Sequence, residues 1–253
     1  MPALSVLASY DLRVSDSLVL AVAQPPCVSY EIAVNAVAHA DAVRAASARV
    51  VVFPEMSLTG YEFDAPAVAV DDPRLVPVIE ACAQTGTTAL VGAPVEDPDG
   101  RSYIAVLAID GSGAAVVYRK INVHSSEAGR FSPGEDVPAV LEVDGWRLGL
   151  AVCRDTGIPR HAAALAAAGM DVYVAGVLDH RGDAAIPPER ARRIARGHGV
   201  WVAFASFAGS TGEGFDDALG CSGIWAPDGR LLNRAGPEVG GSARAMLNRA
   251  VRR

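Results

Sequence analysis

Three apolar segments of the chain each end in a residue type that takes part in hydrolysis. Cys153 follows the apolar run 148–152, Glu55 follows 50–54, and Lys120 follows 114–118 after one arginine. Each run is short and apolar enough for a buried strand, and open α/β sheets carry their chemistry at the carboxyl ends of the strands. A thiol, a carboxylate and an ammonium brought together there supply a nucleophile, a proton carrier and a cation. This combination predicts a nucleophilic hydrolase.

Each of these residues alone has a simpler interpretation. Cysteine is among the most buried residue types, so a cysteine at a strand end is usually structural. Glu55 alone fits a solvated loop residue, and Lys120 alone fits a surface lysine that closes a hairpin strand. The catalytic interpretation is favoured because all three occur in order along one chain.

The elements that must position these residues form a mixed α/β pattern. Buried strands are predicted for the apolar runs 18–23, 50–53, 87–91, 172–177 and 200–207. Helices are predicted from the apolar spacing at 30–49, 76–84, 161–168 and 188–196. Hairpins are predicted around the glycine-containing turns 110–113, 144–145 and 227–229. A purely parallel sheet would not need hairpins, so we expect a mixed sheet covered by helices on one face and packed against a second sheet.

The length and composition of the chain indicate a single domain. Its 253 residues, of which 51% are hydrophobic, are enough for one large core or two modest ones. No linker-like segment or change in composition divides the sequence. We therefore expect one domain over residues 1–253, with a core from about 18 to 235 and a polar C-terminal tail over 239–253.

Charge and hydropathy exclude several classes of partner. The net charge is −7 and the basic residues form no stripe, so we expect no nucleic-acid partner. No apolar segment approaches the roughly 18 residues of a membrane-spanning helix. Residues 1–16 lack the basic start and long apolar core of a secretory signal. The four cysteines are widely spaced and form no C-x-x-C pair, which predicts no zinc site and a reducing, cytoplasmic location.

Three motifs in this order resemble the signatures of the nitrilase superfamily of carbon-nitrogen hydrolases. The first is Val-Val-Phe-Pro-Glu at 51–55 with Leu-Thr-Gly-Tyr at 58–61, the second Tyr-Arg-Lys-Ile at 118–121, and the third Gly-Leu-Ala-Val-Cys-Arg-Asp at 149–155. Glu127 also matches an E-x-x-x-F-x-x-G segment that follows the family's lysine. The resemblance extends from about residue 18 to 232, and it implies a four-layer α-β-β-α sandwich.

The resemblance also implies a role for each reactive residue. Cys153 would attack the substrate carbonyl and form a thioester, and Glu55 would move the protons. Lys120 would face the oxyanion together with the backbone N–H of Arg154. Glu127 would be a second glutamate that holds Lys120 and helps to orient the substrate. Because a lone buried ammonium is unfavourable, two flanking carboxylates make physical sense.

Four residues are candidates for substrate binding. Tyr61 and Arg154 stand inside the motifs, and His180 with Arg181 follows the predicted strand 172–177. In the family that is resembled, the loop after this strand lines the pocket, so an imidazole or guanidinium there would be placed to pair with a substrate carboxylate. The simpler interpretation of 179–183 is a solvated turn.

The function that these observations predict is hydrolysis of a non-peptide C–N bond in a small linear amide or N-carbamoyl compound, with release of ammonia and without a cofactor or metal. One alternative is a nitrilase, although family nitrilases tend to have Trp-Glu after the cysteine, where this chain has Arg154 and Asp155. A second alternative is a catalytically silent interaction protein that keeps the fold. By resemblance we expect a homodimer or a higher homo-oligomer.

The sequence departs from the family pattern at three positions. Asn122 stands where the family commonly has histidine, Arg160 where it has glutamate, and Ser206 where it often has asparagine. None of these changes removes a proposed catalytic group. They leave the substrate class open, and the change at Arg160 reverses a charge that we expect close to the site.

Overall fold

Two six-stranded sheets pack face to face, with helices on the outer face of each, in the computed structural model, which describes residues 15–249. The strands are β1 (Ser17–Ala23), β2 (Val50–Val52), β3 (Thr88–Glu96), β4 (Ser102–Asp110), β5 (Gly113–Arg119), β6 (Val140–Val143), β7 (Trp146–Val152), β8 (Val172–Val177), β9 (Trp201–Ser206), β10 (Ala208–Gly209), β11 (Ala218–Leu219), β12 (Gly223–Trp225), β13 (Leu231–Arg234) and β14 (Ser242–Asn248). The α-helices within residues 15–249 are α1 (Ile32–Ala46), α2 (Val76–Thr85), α3 (Pro159–Ala167) and α4 (Ile186–His198).

The two sheets have a similar order, with parallel strands in the middle and antiparallel strands at the edges. The first sheet runs β14-β1-β2-β3-β4-β5, in which β1, β2 and β3 are parallel. The second runs β13-β12-β9-β8-β7-β6, in which β7, β8 and β9 are parallel. The three predicted hairpins are confirmed as β4–β5, β6–β7 and β12–β13. The carboxyl ends of β2 and β7 therefore carry Glu55 and Cys153 out of the two sheets.

Three apolar clusters hold the layers together. The largest lies between the two sheets and includes Leu20, Val52, Trp146 and Leu150. A second joins α1 and α2 to the first sheet, and a third joins α3 and α4 to the second. This is the four-layer α-β-β-α sandwich that the resemblance implied.

Local sequence signals explain where the helices begin and end. A proline stands in the first turn of α2, α3 and α4, where its missing N–H leaves no hydrogen bond unmade. Two of these helices end at a glycine with positive φ, Gly86 after α2 and Gly199 after α4. A left-handed residue at this position closes a helix with little strain when it is glycine.

The prediction of a polar C-terminal tail over 239–253 is wrong for the central part of this segment. Residues Ser242–Asn248 form β14, which pairs antiparallel with β1 along its whole length. Ala243 and Leu247 of this strand are buried, while Met246 is 60% exposed. An edge strand with one solvent-facing side is polar at alternate positions, which is why its composition looked like a tail. Residues 250–253 lie outside the described residues, as do residues 1–14, which hold most of the segment considered as a secretory signal.

No helix within residues 15–249 has both the length and the apolar character needed to cross a bilayer.

Candidate active site

Two glycines allow the turn that carries Glu55 to pass between the two sheets. A Cβ atom at Gly92 in β3 would lie 2.3 Å from the backbone oxygen of Pro54. A Cβ atom at Gly176 in β8 would lie 2.6 Å from the backbone oxygen of Phe53. Both distances are shorter than real carbon–oxygen contacts, so any larger residue would displace the turn. The position of Glu55 thus depends on one close approach from each sheet.

Lys120 lies between two carboxylates, those of Glu55 and Glu127. Its Nζ atom is 2.7 Å from Glu55 Oε1 and 2.6 Å from Glu127 Oε1, and all three side chains are 1% exposed. Glu127 also accepts hydrogen bonds from the Tyr61 hydroxyl and, at 2.6 Å, from the backbone N–H of His124. Among the 22 Lys and Arg residues of the sequence, Lys120 is the only lysine. The structure thus brings three of the predicted residues into one buried ion cluster.

The thiol of Cys153 completes the cluster. Its Sγ atom lies 3.5 Å from the backbone oxygen of Leu178 and close enough to Glu55 and Lys120 to affect the pKa of each. Glu55 Oε2 is buried and has no hydrogen-bond partner within residues 15–249. A buried carboxylate oxygen without a donor is unfavourable. The acid therefore keeps one acceptor open beside the thiol.

The ionisation of these groups follows from burial and from the neighbouring charges. Burial raises the pKa of Glu55 to about 7, against the attraction of Lys120. For Glu127, burial is outweighed by Lys120 and by its hydrogen bonds, so its pKa is lowered. Burial also opposes the charge of Lys120, but Glu55, Cys153 and Glu127 together raise its pKa. The cluster therefore contains an ammonium that stays charged, Lys120, a carboxylate that stays charged, Glu127, and a carboxyl that titrates near neutrality, Glu55.

The thiol itself is held in its protonated form. Burial, followed by the charge of Glu55, raises the pKa of Cys153 well above its ordinary value, although Lys120 acts in the other direction. A cation and a helix N-terminus next to a thiol would favour the thiolate. The segment that follows is a single 3₁₀ turn, Cys153–Gly157, and desolvation of the sulfur decides the sign of the pKa shift.

The backbone turn at the thiol is strained and is held by Asp155. Cys153 has a φ of +39°, a left-handed conformation that costs about 1–2 kcal/mol for a residue with a Cβ atom. The fully buried carboxylate of Asp155 accepts hydrogen bonds from Val152 N at 2.9 Å and from the Tyr118 hydroxyl at 2.7 Å. It also accepts from Asn122 through its backbone and side-chain nitrogens, at 2.9 and 2.8 Å. Asp155 thereby fastens the nucleophile turn to the segment around Lys120.

Sequence reasoning gave Asp155 and Tyr118 no role, although both stand inside the motifs. The signal that would have found them is a side chain able to form hydrogen bonds two positions from a candidate catalytic residue, Tyr118 before Lys120 and Asp155 after Cys153. The structure also gives one departure from the family pattern a role, since the side-chain amide of Asn122 donates a hydrogen bond to Asp155. The charge reversal at Arg160 lies at the surface instead of in the site, with the side chain 72% exposed and facing Asp136. At the third departure, the backbone N–H of Ser206 donates a hydrogen bond to Ser222 Oγ at 2.9 Å.

Of the four candidates for substrate binding, Tyr61 has a side chain that contacts the ion cluster, through Glu127. The side chain of Arg154 is exposed. His180 is also exposed and stacks on Phe215, with ring centroids 4.0 Å apart. Arg181 makes two hydrogen bonds to the carboxylate of Asp217, at 2.6 and 2.7 Å.

Within residues 15–249 the structure contains no group of three or more His, Cys, Asp or Glu side chains arranged to hold a metal ion. The reactive groups that the geometry brings together are the side chains of Glu55, Lys120 and Cys153. A thiol, an acid with a free oxygen and a buried ammonium are the parts that acyl transfer to a thiol requires.

The four-layer sandwich with this cluster at its sheet edges is the architecture of the nitrilase superfamily. The chain belongs to the carbon-nitrogen hydrolase family, whose family model matches residues 19–251. It is therefore a hydrolase of C–N bonds, in the amidase-like part of the superfamily.

Two curated proteins are similar to the chain over most of its length. It is 33% identical over 205 residues to a Pseudomonas protegens protein described as a hydrolase in the pqqF 5' region, covering 78% of this chain and 71% of that protein. It is 32% identical over 206 residues to an (R)-stereoselective amidase from a Pseudomonas species, covering 78% and 73%.

Two solved structures show the same fold at lower sequence identity. A double mutant of the amidase from Nesterenkonia sp. AN1, in complex with acrylamide, matches with a TM-score of 0.82 and 23% identity over 94% of this chain and 93% of that one. Nit3 from Saccharomyces cerevisiae, a member of branch 10 of the nitrilase superfamily, matches with a TM-score of 0.82 and 19% identity over 93% and 91%.

Proposed function

We propose that the protein is a cysteine-dependent amidase that hydrolyses a small linear amide and releases ammonia through a thioester on Cys153. The observation that carries this proposal is the position of Lys120 Nζ, 2.7 and 2.6 Å from two buried carboxylates and near the half-buried Cys153. The similarity to an (R)-stereoselective amidase over 78% of the chain supports the same reaction class.

In the proposed acylation step, Glu55 acts as the general base. Its Oε2 atom, which has no other partner within residues 15–249, accepts the thiol proton as Sγ attacks the carbonyl carbon. The oxyanion that forms is stabilised by Lys120 Nζ and by the backbone N–H of Arg154. The C–N bond then breaks, and Glu55 gives its proton to the nitrogen, which leaves as ammonia.

In the proposed deacylation step, Glu55 takes a proton from a water molecule that attacks the thioester. The second tetrahedral intermediate collapses, the C–S bond breaks, and the proton returns to the sulfur as the carboxylic acid leaves. Glu127 stays ionised throughout and holds Lys120 in place. A compact ammonium with three donors suits a position between two acids better than a planar guanidinium. This agrees with lysine standing here while arginine supplies every other strong base of the chain.

The acidities of the two partners fit a concerted proton transfer. A thiol with a raised pKa is not a free thiolate at neutral pH, so it needs a base at the moment of attack. A carboxyl with a pKa of about 7 can both accept and return a proton near neutrality.

The experiment that tests this proposal compares ammonia release from matched amide, N-carbamoyl and nitrile compounds by the purified protein. We expect release from an amide that exceeds release from the corresponding nitrile, and loss of all release in Cys153→Ala. Faster release from the nitrile would place the protein with the nitrilases. No release from any class, with the fold intact, would favour the catalytically silent interpretation. A single domain, a homo-oligomeric state and a cytoplasmic location are proposed on the sequence argument alone.

A further inference from the structure

Asp179 is next in sequence to the residue whose backbone oxygen contacts the thiol, and its carboxylate has one cation at 3.9 Å. Asp179 follows β8, the strand that pairs in parallel with β7, so both chain segments leave the sheet at the same edge. The carbonyl oxygen of the preceding residue, Leu178, is the atom 3.5 Å from Cys153 Sγ. The Asp179 side chain is 11% exposed, and no donor within residues 15–249 makes a hydrogen bond to it. It is therefore a mostly buried anion, one residue from a contact of the thiol, to which the fold gives no hydrogen-bond donor.

The cation that faces Asp179 compensates its charge only in part. Arg190 Nη1 is 3.9 Å from Asp179 Oδ1, beyond hydrogen-bond distance, and the same nitrogen lies 3.4 Å from Thr156 Oγ1. Burial raises the pKa of Asp179 despite the charges of Arg190 and His180, with Asp183 adding to the rise. After burial and Glu55, Asp179 also raises the pKa of the Cys153 thiol. In the free protein Asp179 thus opposes the nucleophile.

The rest of the loop region does not supply a site for an anionic substrate. Arg181, which the sequence suggested as a partner for a substrate carboxylate, is bound by both oxygens of Asp217. Aromatic rings instead lead from the surface to the ion cluster. His180 stacks on Phe215, and Phe215 meets the edge of Tyr61 with centroids 5.5 Å apart. Ring faces next to a carboxylate attract cations and apolar groups.

We propose that Asp179 is a specificity residue for a cation, so that the amide cleaved at Cys153 carries a protonated amine. This inference rests on the proposed amidase function. A substrate ammonium would give a mostly buried carboxylate the hydrogen-bond donor that it lacks. It would also cancel a charge that disfavours the thiolate, so binding of the correct substrate would promote attack by the sulfur. A substrate with a carboxylate in the same place would be repelled.

The first test compares three series of amides of equal length that differ in the terminal group: an ammonium, a methyl group or a carboxylate. We expect kcat/KM to follow the order cationic, neutral, anionic, with about tenfold or more between the cationic and neutral amides. Asp179→Asn should remove this preference, by lowering kcat/KM for the cationic amide towards that for the neutral amide. Asp183→Asn removes the same charge from an exposed position in the same loop and should keep the preference. Equal rates for cationic and neutral amides, or a preference that survives Asp179→Asn, would overturn the inference.

The second test does not depend on turnover. Methanethiosulfonate reagents with a cationic, a neutral or an anionic tail form a disulfide with a thiol and release a sulfinate, and peptide mass spectrometry follows their reaction at Cys153. We expect the cationic reagent to react fastest, and Asp179→Asn to lower the cationic-to-anionic rate ratio about tenfold. An unchanged ratio would refute the role of Asp179. Absence of turnover with every amide, combined with the expected ratio, would refute the amidase function and retain the cation site.

Discussion

Replacement of Lys120 by methionine is the perturbation with the largest expected effect on the ion cluster. The change removes the cation that is bound at 2.7 Å by Glu55 and at 2.6 Å by Glu127, and leaves two carboxylates in a region that is 1% exposed. Breaking a buried ion pair by removing one partner typically costs about 3–5 kcal/mol. Domains of this kind are stable by about 5–15 kcal/mol, so the variant should still fold.

The loss of stability should depend on pH with a definite sign. Without Lys120, the pKa values of both carboxylates in the folded protein rise above those in the unfolded chain. A group with a raised pKa stabilises the fold at low pH, and this contribution is lost as the pH rises through the folded value. The difference between Lys120→Met and the wild type should therefore be about 3–5 kcal/mol near pH 8 and clearly smaller near pH 5.5.

Urea unfolding at both pH values measures this difference directly. The double variant Lys120→Met with Glu127→Gln removes one charge of each sign, and it should be more stable than the sum of the single changes predicts, by about 1–3 kcal/mol. Arg44→Met, which breaks the exposed pair with Asp41, is the control and should change stability by less than about 1 kcal/mol at either pH. A loss for Lys120→Met that is small, or equal at both pH values, would show that the cluster does not hold its charges as described.

Three further predictions follow from the site. Because burial raises the pKa of Glu55 to about 7, kcat/KM should rise with pH around neutrality, and a pH–rate profile that instead inflects near the ordinary glutamate pKa would contradict this. Glu55→Gln should lower kcat about 100- to 10,000-fold. Protein labelled selectively at lysine should give a single Lys120 side-chain NMR signal that follows the titration of Glu55 and stays in the ammonium form through the ordinary lysine pKa. Asp155→Asn should reduce kcat more than it changes KM, whereas Asp171→Asn, which disturbs the 2.9 Å bond from Arg147 N at the other end of β7, should leave kcat unchanged.

The motifs in the sequence were sufficient to predict the layers, and they named the residues that the structure groups into the ion cluster. Continuous apolar runs that end at a reactive side chain predicted β2 and β7. The order of the motifs predicted that Glu55, Lys120 and Cys153 lie at one site. These are local signals, since each depends on a few neighbouring residues. The closeness of the groups depends on the packing of the two sheets face to face, because Glu55 follows β2 of the first sheet and Cys153 follows β7 of the second.

The features that were missed depend on contacts between distant segments. β14 looked polar because its alternate residues face solvent, and its partner β1 lies more than 200 residues away. Arg181 looked free to bind a substrate until the fold paired it with Asp217, which lies 36 positions further along the chain. The raised pKa of the thiol could not be foreseen, because it results from burial in the fold and from the charge of Glu55, which is distant in sequence.

The central claim, that Cys153 carries the acyl group of the substrate, is tested most directly by rapid-quench mass spectrometry with an amide that the protein hydrolyses. All four cysteines of the chain are free thiols, so each can in principle be modified, and peptide mapping distinguishes them. We expect a single acyl group on the Cys153 peptide during turnover, and neither adduct nor turnover in Cys153→Ala. An adduct on Cys27, Cys82 or Cys221 instead, or full turnover by Cys153→Ala, would contradict the account.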